Sequence, residues 1–175
     1  MQNTRINDLI AILRCPKTGS CLRLEHDVLV SEAGERYPIV NGKPILVRQI
    51  QPLHVRPPED KVISQNIGHY DPPKEIAHTT DFKLHLGSGN VPCADPMVVS
   101  MDILPNVHVD VVAEAEFLPF ADNSFSWVES GAVFEHLYDP IAAIKEVRRV
   151  LAPGGRMYID TAFMQGYHGF PVHFF

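Results

Sequence analysis

Apolar residues near the start of the chain fall at helical spacing: Ile6, Leu9, Ile10 and Leu13 follow the candidate caps Asn3 and Thr4. Cys15-Pro16 closes that run. Two extended stretches come next, residues 22–30 and 36–40, separated by Glu32-Ala33-Gly34-Glu35. Asn41-Gly42 then predicts a tight hairpin, because both residues tolerate positive φ, and Ile45-Leu46-Val47 completes a meander. Between residues 51 and 80 the periodicity fades. Pro52, Pro57, Pro58, Pro72 and Pro73 remove backbone donors and fix φ, so this stretch reads as a linker, with a candidate short helix over 61–70. From residue 81 short β-rich runs return, at 82–86, 97–101, 107–113, 124–129 and 156–161. Before the last of them lies the clearest helix: Asp139 caps it, Pro140 takes its first position, and Ile141, Ile144, Val147 and Leu151 repeat at its period. Lys145, Arg148 and Arg149 lie toward its negative end, and Pro153-Gly154-Gly155 stops it. Strands alternating with helices and loops predict a parallel α/β sheet behind a small N-terminal α+β module.

Composition narrows the class. The 175 residues are 45% hydrophobic and 21% charged, enough apolar surface for a packed core. The longest apolar runs span a few residues, far short of the ~20 that cross a bilayer. The first ten residues lack a charged start and an apolar stretch, so a secretory leader is not expected and a cytoplasmic location is. The net charge is −6, and beyond residue 60 there are 14 acidic side chains against 7 basic ones. That balance argues against a surface that tracks phosphates, which needs clustered Lys and Arg. Cys15, Cys21 and Cys93 are read as thiols.

Leu84-His85-Leu86-Gly87-Ser88-Gly89-Asn90 puts two glycines at the end of a predicted strand, where a backbone must turn sharply and approach a ligand closely. Plain loop chemistry explains such a turn equally well. Asp102 ends the next predicted strand, about where a carboxylate accepts hydrogen bonds from ribose hydroxyls; the plainer alternative is a solvated turn residue.

The ordered strings LHLGSGN, SMDILPN, VDVVAEAEFLPFADNSFSWVESGAVFEHLYDP and AIKEVRRVLAPGGRMYIDTAF resemble class I S-adenosylmethionine-dependent methyltransferases of the type 11 kind, across residues 81–163. The resemblance implies a Rossmann-like sheet and S-adenosyl-L-methionine as cofactor. It implies that Gly87, Ser88 and Gly89 pass beneath the methionine part, that Asp102 holds the ribose, and that Glu114, Ala115 and Glu116 flank adenine. Ser130 and Gly131 are implied as the floor below the sulfonium. His85 joins this set, at a position where the family usually carries an acidic residue; Val91 stands where a third glycine often does. LRCPKTGSCLRL followed by YPIVNGKPIL resembles a Trm112-type module, a small zinc-ribbon-like domain that activates methyltransferases in some relatives. Here Thr18 replaces the cysteine of a C-x-x-C pair, so no metal is expected.

These readings divide the chain into a Trm112-like module (1–50), a proline-rich linker (51–80) and a methyltransferase domain (81–175). Family sheets carry two further strands after the fifth, so the end at Phe175 predicts a fragment, or a second copy covering the exposed edge. His136 and His168 are the candidate bases, each with a structural alternative. The methyl acceptor is unidentified: a small molecule, a glycan precursor and a macromolecule all remain open. The rival readings are a binding or scaffold module without turnover and a nicotinamide oxidoreductase, which lacks support because the three-glycine turn is incomplete.

Overall fold

The computed structural model describes residues 4–57 and 82–161. Helix α1 (Thr4–Leu9) precedes β1 (Leu22–Glu25), β2 (Val28–Ser31), β3 (Arg36–Val40) and β4 (Lys43–Leu46). β5 (Phe82–Leu86), β6 (Val98–Asp102), β7 (Val111–Ala113) and β8 (Phe125–Gly131) follow, then helix α2 (Pro140–Val150) and β9 (Leu151–Asp160). All nine strands form one sheet in the order β1-β2-β3-β4-β7-β6-β5-β8-β9. β1 to β4 pair antiparallel, and β4 then runs parallel to β7 through Ile45↔Val112 and Leu46↔Ala113. The remaining neighbours are parallel.

Several elements differ from the expectation. The stretch 22–30 is two strands, folded back at His26, whose φ of 57° reverses the chain. Asn41 and Gly42 both have positive φ, 51° and 81°, as a primed hairpin turn requires. β7 starts at Val111 rather than at 107, and the candidate helix over 61–70 lies outside the described residues. Pairing with β8 begins at Leu151, before Pro153-Gly154-Gly155, and a register shift between Phe125 and Trp127 absorbs those residues.

α2 is capped as expected: the Asp139 side chain accepts from Ala142 N at 2.9 Å, with Pro140 in the first turn. Its buried face is Ala143, Val147 and Val150, whereas Ile141 remains 63% exposed. Arg149 works at longer range than the helix end. Its guanidinium donates to Leu118 O, Phe120 O and Asp122 Oδ1 at 2.7–2.9 Å, clamping the loop before β8.

Strand alternation gives the sheet two unlike faces. One carries Leu84, Leu86, Val99, Met101, Val111, Ala113 and Val128, packed against Ile6, Leu9 and Leu13 and against the buried face of α2. The other carries a small apolar cluster, Ile45, Val47, Val109 and Val112, and then turns polar with Lys83, His85, Ser100 and Glu129. Lys83 is buried there, with Nζ 2.9 Å from Asp95 Oδ2. No helix spans 87–97 or 103–110, the connections between β5, β6 and β7, so both described helices lie on the apolar face. Among the described residues, no helix is long and apolar enough to cross a membrane.

Candidate functional site

The chain steps from β5 to β6 to β7 in one direction across the sheet, and through β8 and β9 in the other. The switch point therefore lies between β5 and β8, and open parallel sheets bind ligands outside the carboxyl ends of their strands at such a point.

The glycine bend sits there. Gly87 N and Ser88 N both donate to Met101 O, at 2.8 and 3.0 Å, tying the bend to β6. Gly87 has φ of 70°, and a Cβ built on it would lie 2.1 Å from Val133 Cγ2, so packing as well as dihedral demands glycine. Gly89 has φ of 57°, and its missing side chain faces open space. The Asp102 carboxylate points into this bend: Oδ2 accepts from Gly89 N at 2.8 Å and Oδ1 from Leu104 N at 2.9 Å. Burial pushes the Asp102 carboxyl above its usual range, opposed by those backbone donors and by the nearby His85.

Two hydroxyls lack a partner. Ser88 Oγ in the bend and Ser130 Oγ near the end of β8 are buried without a hydrogen bond among the described residues. Such groups cost free energy unless water or a ligand satisfies them. Beyond β8, Ala132 holds a left-handed φ of 53°, fixed by its N–H donating to Asp160 O at 2.8 Å. Non-glycine residues in that region signal local strain.

His85 faces Glu129 across the β5–β8 pairing, with Nδ1 3.8 Å from Oε1. A carboxylate thus stands beside His85. Sequence reading missed Glu129 because the parallel register, not spacing along the chain, brings it there.

Glu114 follows β7, two residues beyond Val112, which pairs with Asp102. Its Oε2 accepts from Arg48 N at 3.0 Å. Ala115, itself buried, opens a 3-10 turn, Ala115–Phe117, whose last residue is exposed. Glu116 is a bracket rather than an edge: Oε1 accepts from Tyr138 N and Asp139 N, joining this turn to the start of α2. His136 ends the 3-10 turn Phe134–His136 and is half-buried; His168 lies outside the described residues. The structure thus brings the Gly87–Gly89 bend and Asp102 together, sets His85 near Asp102, puts Ser130 one residue past Glu129 near the end of β8, and holds Glu114 and Ala115 just after β7.

This stretch has counterparts among known proteins. Residues 85–159 match the methyltransferase domain family. Every described candidate residue falls inside the methyltransferase match, from His85 through Asp102, Glu114 and Ser130 to His136. Over 53 residues the chain is 45% identical to an uncharacterised protein, YafE, of Escherichia coli K12, covering 30% of this chain and 26% of that protein. It is 46% identical over 50 residues to a demethylmenaquinone methyltransferase of Staphylococcus haemolyticus, covering 29% of this chain and 20% of the relative. The matched stretch thus spans about a quarter or less of these relatives. A solved structure of a putative S-adenosyl-L-methionine-dependent methyltransferase from Methanococcus maripaludis superposes with a TM-score of 0.43 at 18% identity, covering 51% of this chain and 52% of that one.

Away from the switch point, a cleft of about 510 Å³ opens at the other strand ends, lined by Arg5, Lys43, Asp95, His108 and Asp110 among others. Arg5 pairs there with Asp110, and Lys43 Nζ donates to the main-chain Val107 O.

Proposed function

We propose that the chain carries an S-adenosylmethionine-dependent methyltransferase domain of class I, acting on an acceptor of unidentified class. The observation that carries this reading is the meeting of the Asp102 carboxylate with the glycine bend at the switch point. An ionised carboxylate has about four lone-pair directions, and two are used by Gly89 N and Leu104 N, so Asp102 retains acceptor capacity for a vicinal diol.

The site fits the cofactor on its own terms. The open space at Gly89 admits a chain past the bend, and the unsatisfied hydroxyls of Ser88 and Ser130 offer polar contacts beside it. Asp102 would hold the ribose, Glu114 and Ala115 would flank the base, and Ser130 with Gly131 would form the floor at β8. S-adenosylmethionine supplies an electrophilic methyl group on a sulfonium. The protein's part is positioning, together with an acid-lined edge (Asp102, Glu114, Glu129) that favours a cation. His136 is the proposed residue for taking a proton from the acceptor. Residues 1–50 are proposed as a Trm112-like module, in keeping with the antiparallel β1–β4 meander. A second copy is the proposed cover for β9, which pairs only with β8 among the described residues.

Titration calorimetry with S-adenosylhomocysteine tests the reading. The folded protein should bind it, and Asp102→Ala should weaken binding about 10- to 100-fold, the loss of hydrogen bonds to a charged group. Absence of binding by folded wild-type protein sinks the proposal.

A second reading, a nucleoside-binding module without turnover, draws on Val133 filling the space over Gly87. Binding without transfer of labelled methyl to any component of a cell extract would favour it.

A further inference from the structure

The meander's last strand does more than extend the sheet. Past β4 the chain crosses the edge where Glu114 sits, and Arg48 touches that edge in two ways. Arg48 N donates to Glu114 Oε2 at 3.0 Å. The Arg48 guanidinium lies over the Phe117 ring, 4.2 Å from its centroid, bracing the turn that follows Glu114. His54, 4% exposed, ends a short 3-10 turn closed by Gln51 N donating to its Nδ1 at 2.9 Å. Burial holds His54 below its ordinary range, with the Glu114 charge pulling the other way. Among the described residues Glu114 Oε1 accepts no hydrogen bond.

We propose that Arg48 is a positioning residue for nucleobase recognition: its main-chain N–H holds one oxygen of Glu114 so that the other faces the base and accepts from the 6-amino group of adenine. The inference rests on the reading above that a nucleoside lies along the Asp102–Glu114 edge. It assigns the N-terminal segment a share in base selectivity that lies outside the matched stretch 85–159. Both oxygens of an ionised carboxylate only accept, so the oxygen held toward the base meets a donor in the 6-amino group of adenine and a second acceptor in the 6-oxo group of hypoxanthine, and the site should favour adenine.

The test compares S-adenosylhomocysteine with S-inosylhomocysteine, its 6-oxo analogue, by calorimetry on the whole chain. Wild type should prefer the adenine compound by about tenfold or more, the scale of one hydrogen bond to a charged group. Arg48→Pro removes the donor and should bring that preference close to unity. Arg48→Ala, which keeps the N–H, should retain most of it. A merely structural role would lower the melting temperature without changing the ratio. If Arg48→Pro does not fold, amide exchange in the wild type decides. By reciprocity of linked equilibria, S-adenosylhomocysteine should slow exchange at the Arg48 N–H and the 6-oxo analogue should not. An unchanged ratio in folded Arg48→Pro, or equal protection by both compounds, overturns the inference. Equal wild-type affinity for both compounds overturns it while leaving the methyltransferase reading intact, whereas binding of neither removes both.

Discussion

At the scale of single residues, the two glycines of the bend separate into one held by packing and one whose missing side chain faces open space. Both have left-handed φ, which costs an L side chain roughly 1–2 kcal/mol. Gly87 also abuts Val133, so a methyl group there must displace a β-branched side chain, an overpacking cost of about 1–3 kcal/mol. Gly87→Ala is therefore expected to destabilise the protein by about 2–5 kcal/mol in urea unfolding, and Gly89→Ala by about 1–2. Adding Val133→Ala should recover part of the first loss and none of the second. Equal destabilisation by the two glycine variants would contradict this division. Asp102 presents the opposite economy. Its folded-state carboxyl lies above the ordinary range, so its ionised form weakens the fold as pH rises through that value, and the full stabilising contribution is present only in acid.

At the scale of elements, the motifs that make the chain recognisable are partly motifs of architecture. Leu118, Phe120 and Asp122 supply the acceptors of the Arg149 clamp, so the separation between the LPF–DNSF loop and the end of α2 is dictated by one guanidinium's reach. Arg149→Lys keeps the charge but loses the planar fork and leaves carbonyls short of a donor. It should cost about 1.5–3 kcal/mol by chemical denaturation; a loss below about 0.5 would show the clamp to be incidental. Much of this layer was legible beforehand. The five parallel strands, the Asp139 cap and the Asn41-Gly42 turn all follow from local pattern, because each depends on residues within a few positions of one another. What was illegible depends on register and tertiary context. The reversal at His26 uses positive φ without a glycine to announce it, and the buried face of α2 differs from its most apolar stripe, leaving Ile141 in solvent. Glu129 reaches His85, and Arg48 reaches Glu114, only across strand neighbours that no spacing along the chain encodes.

At the scale of the whole molecule, the core ignores the boundary suggested by composition. Because no helix spans the connections 87–97 and 103–110, the apolar face of β5, β6 and β7 needs cover from elsewhere, and Ile6, Leu9 and Leu13 supply it, each no more than 1% exposed. The β4–β7 pairing carries the same dependence through the backbone. Residues 4–50 and 82–161 should then unfold together, with the N-terminal helix completing the cover that α2 begins on that face. The single tryptophan makes this measurable, since Trp127 lies buried in β8, far in sequence from α1. Leu9→Ala removes a fully buried side chain and should cost about 2–5 kcal/mol. If the core is shared, that loss appears as a lower denaturation midpoint in Trp127 fluorescence, coincident with the midpoint from far-ultraviolet circular dichroism. If the Trp127 transition stays where it is in wild type while only the dichroism shifts, the N-terminal layer unfolds by itself and the core is two cores.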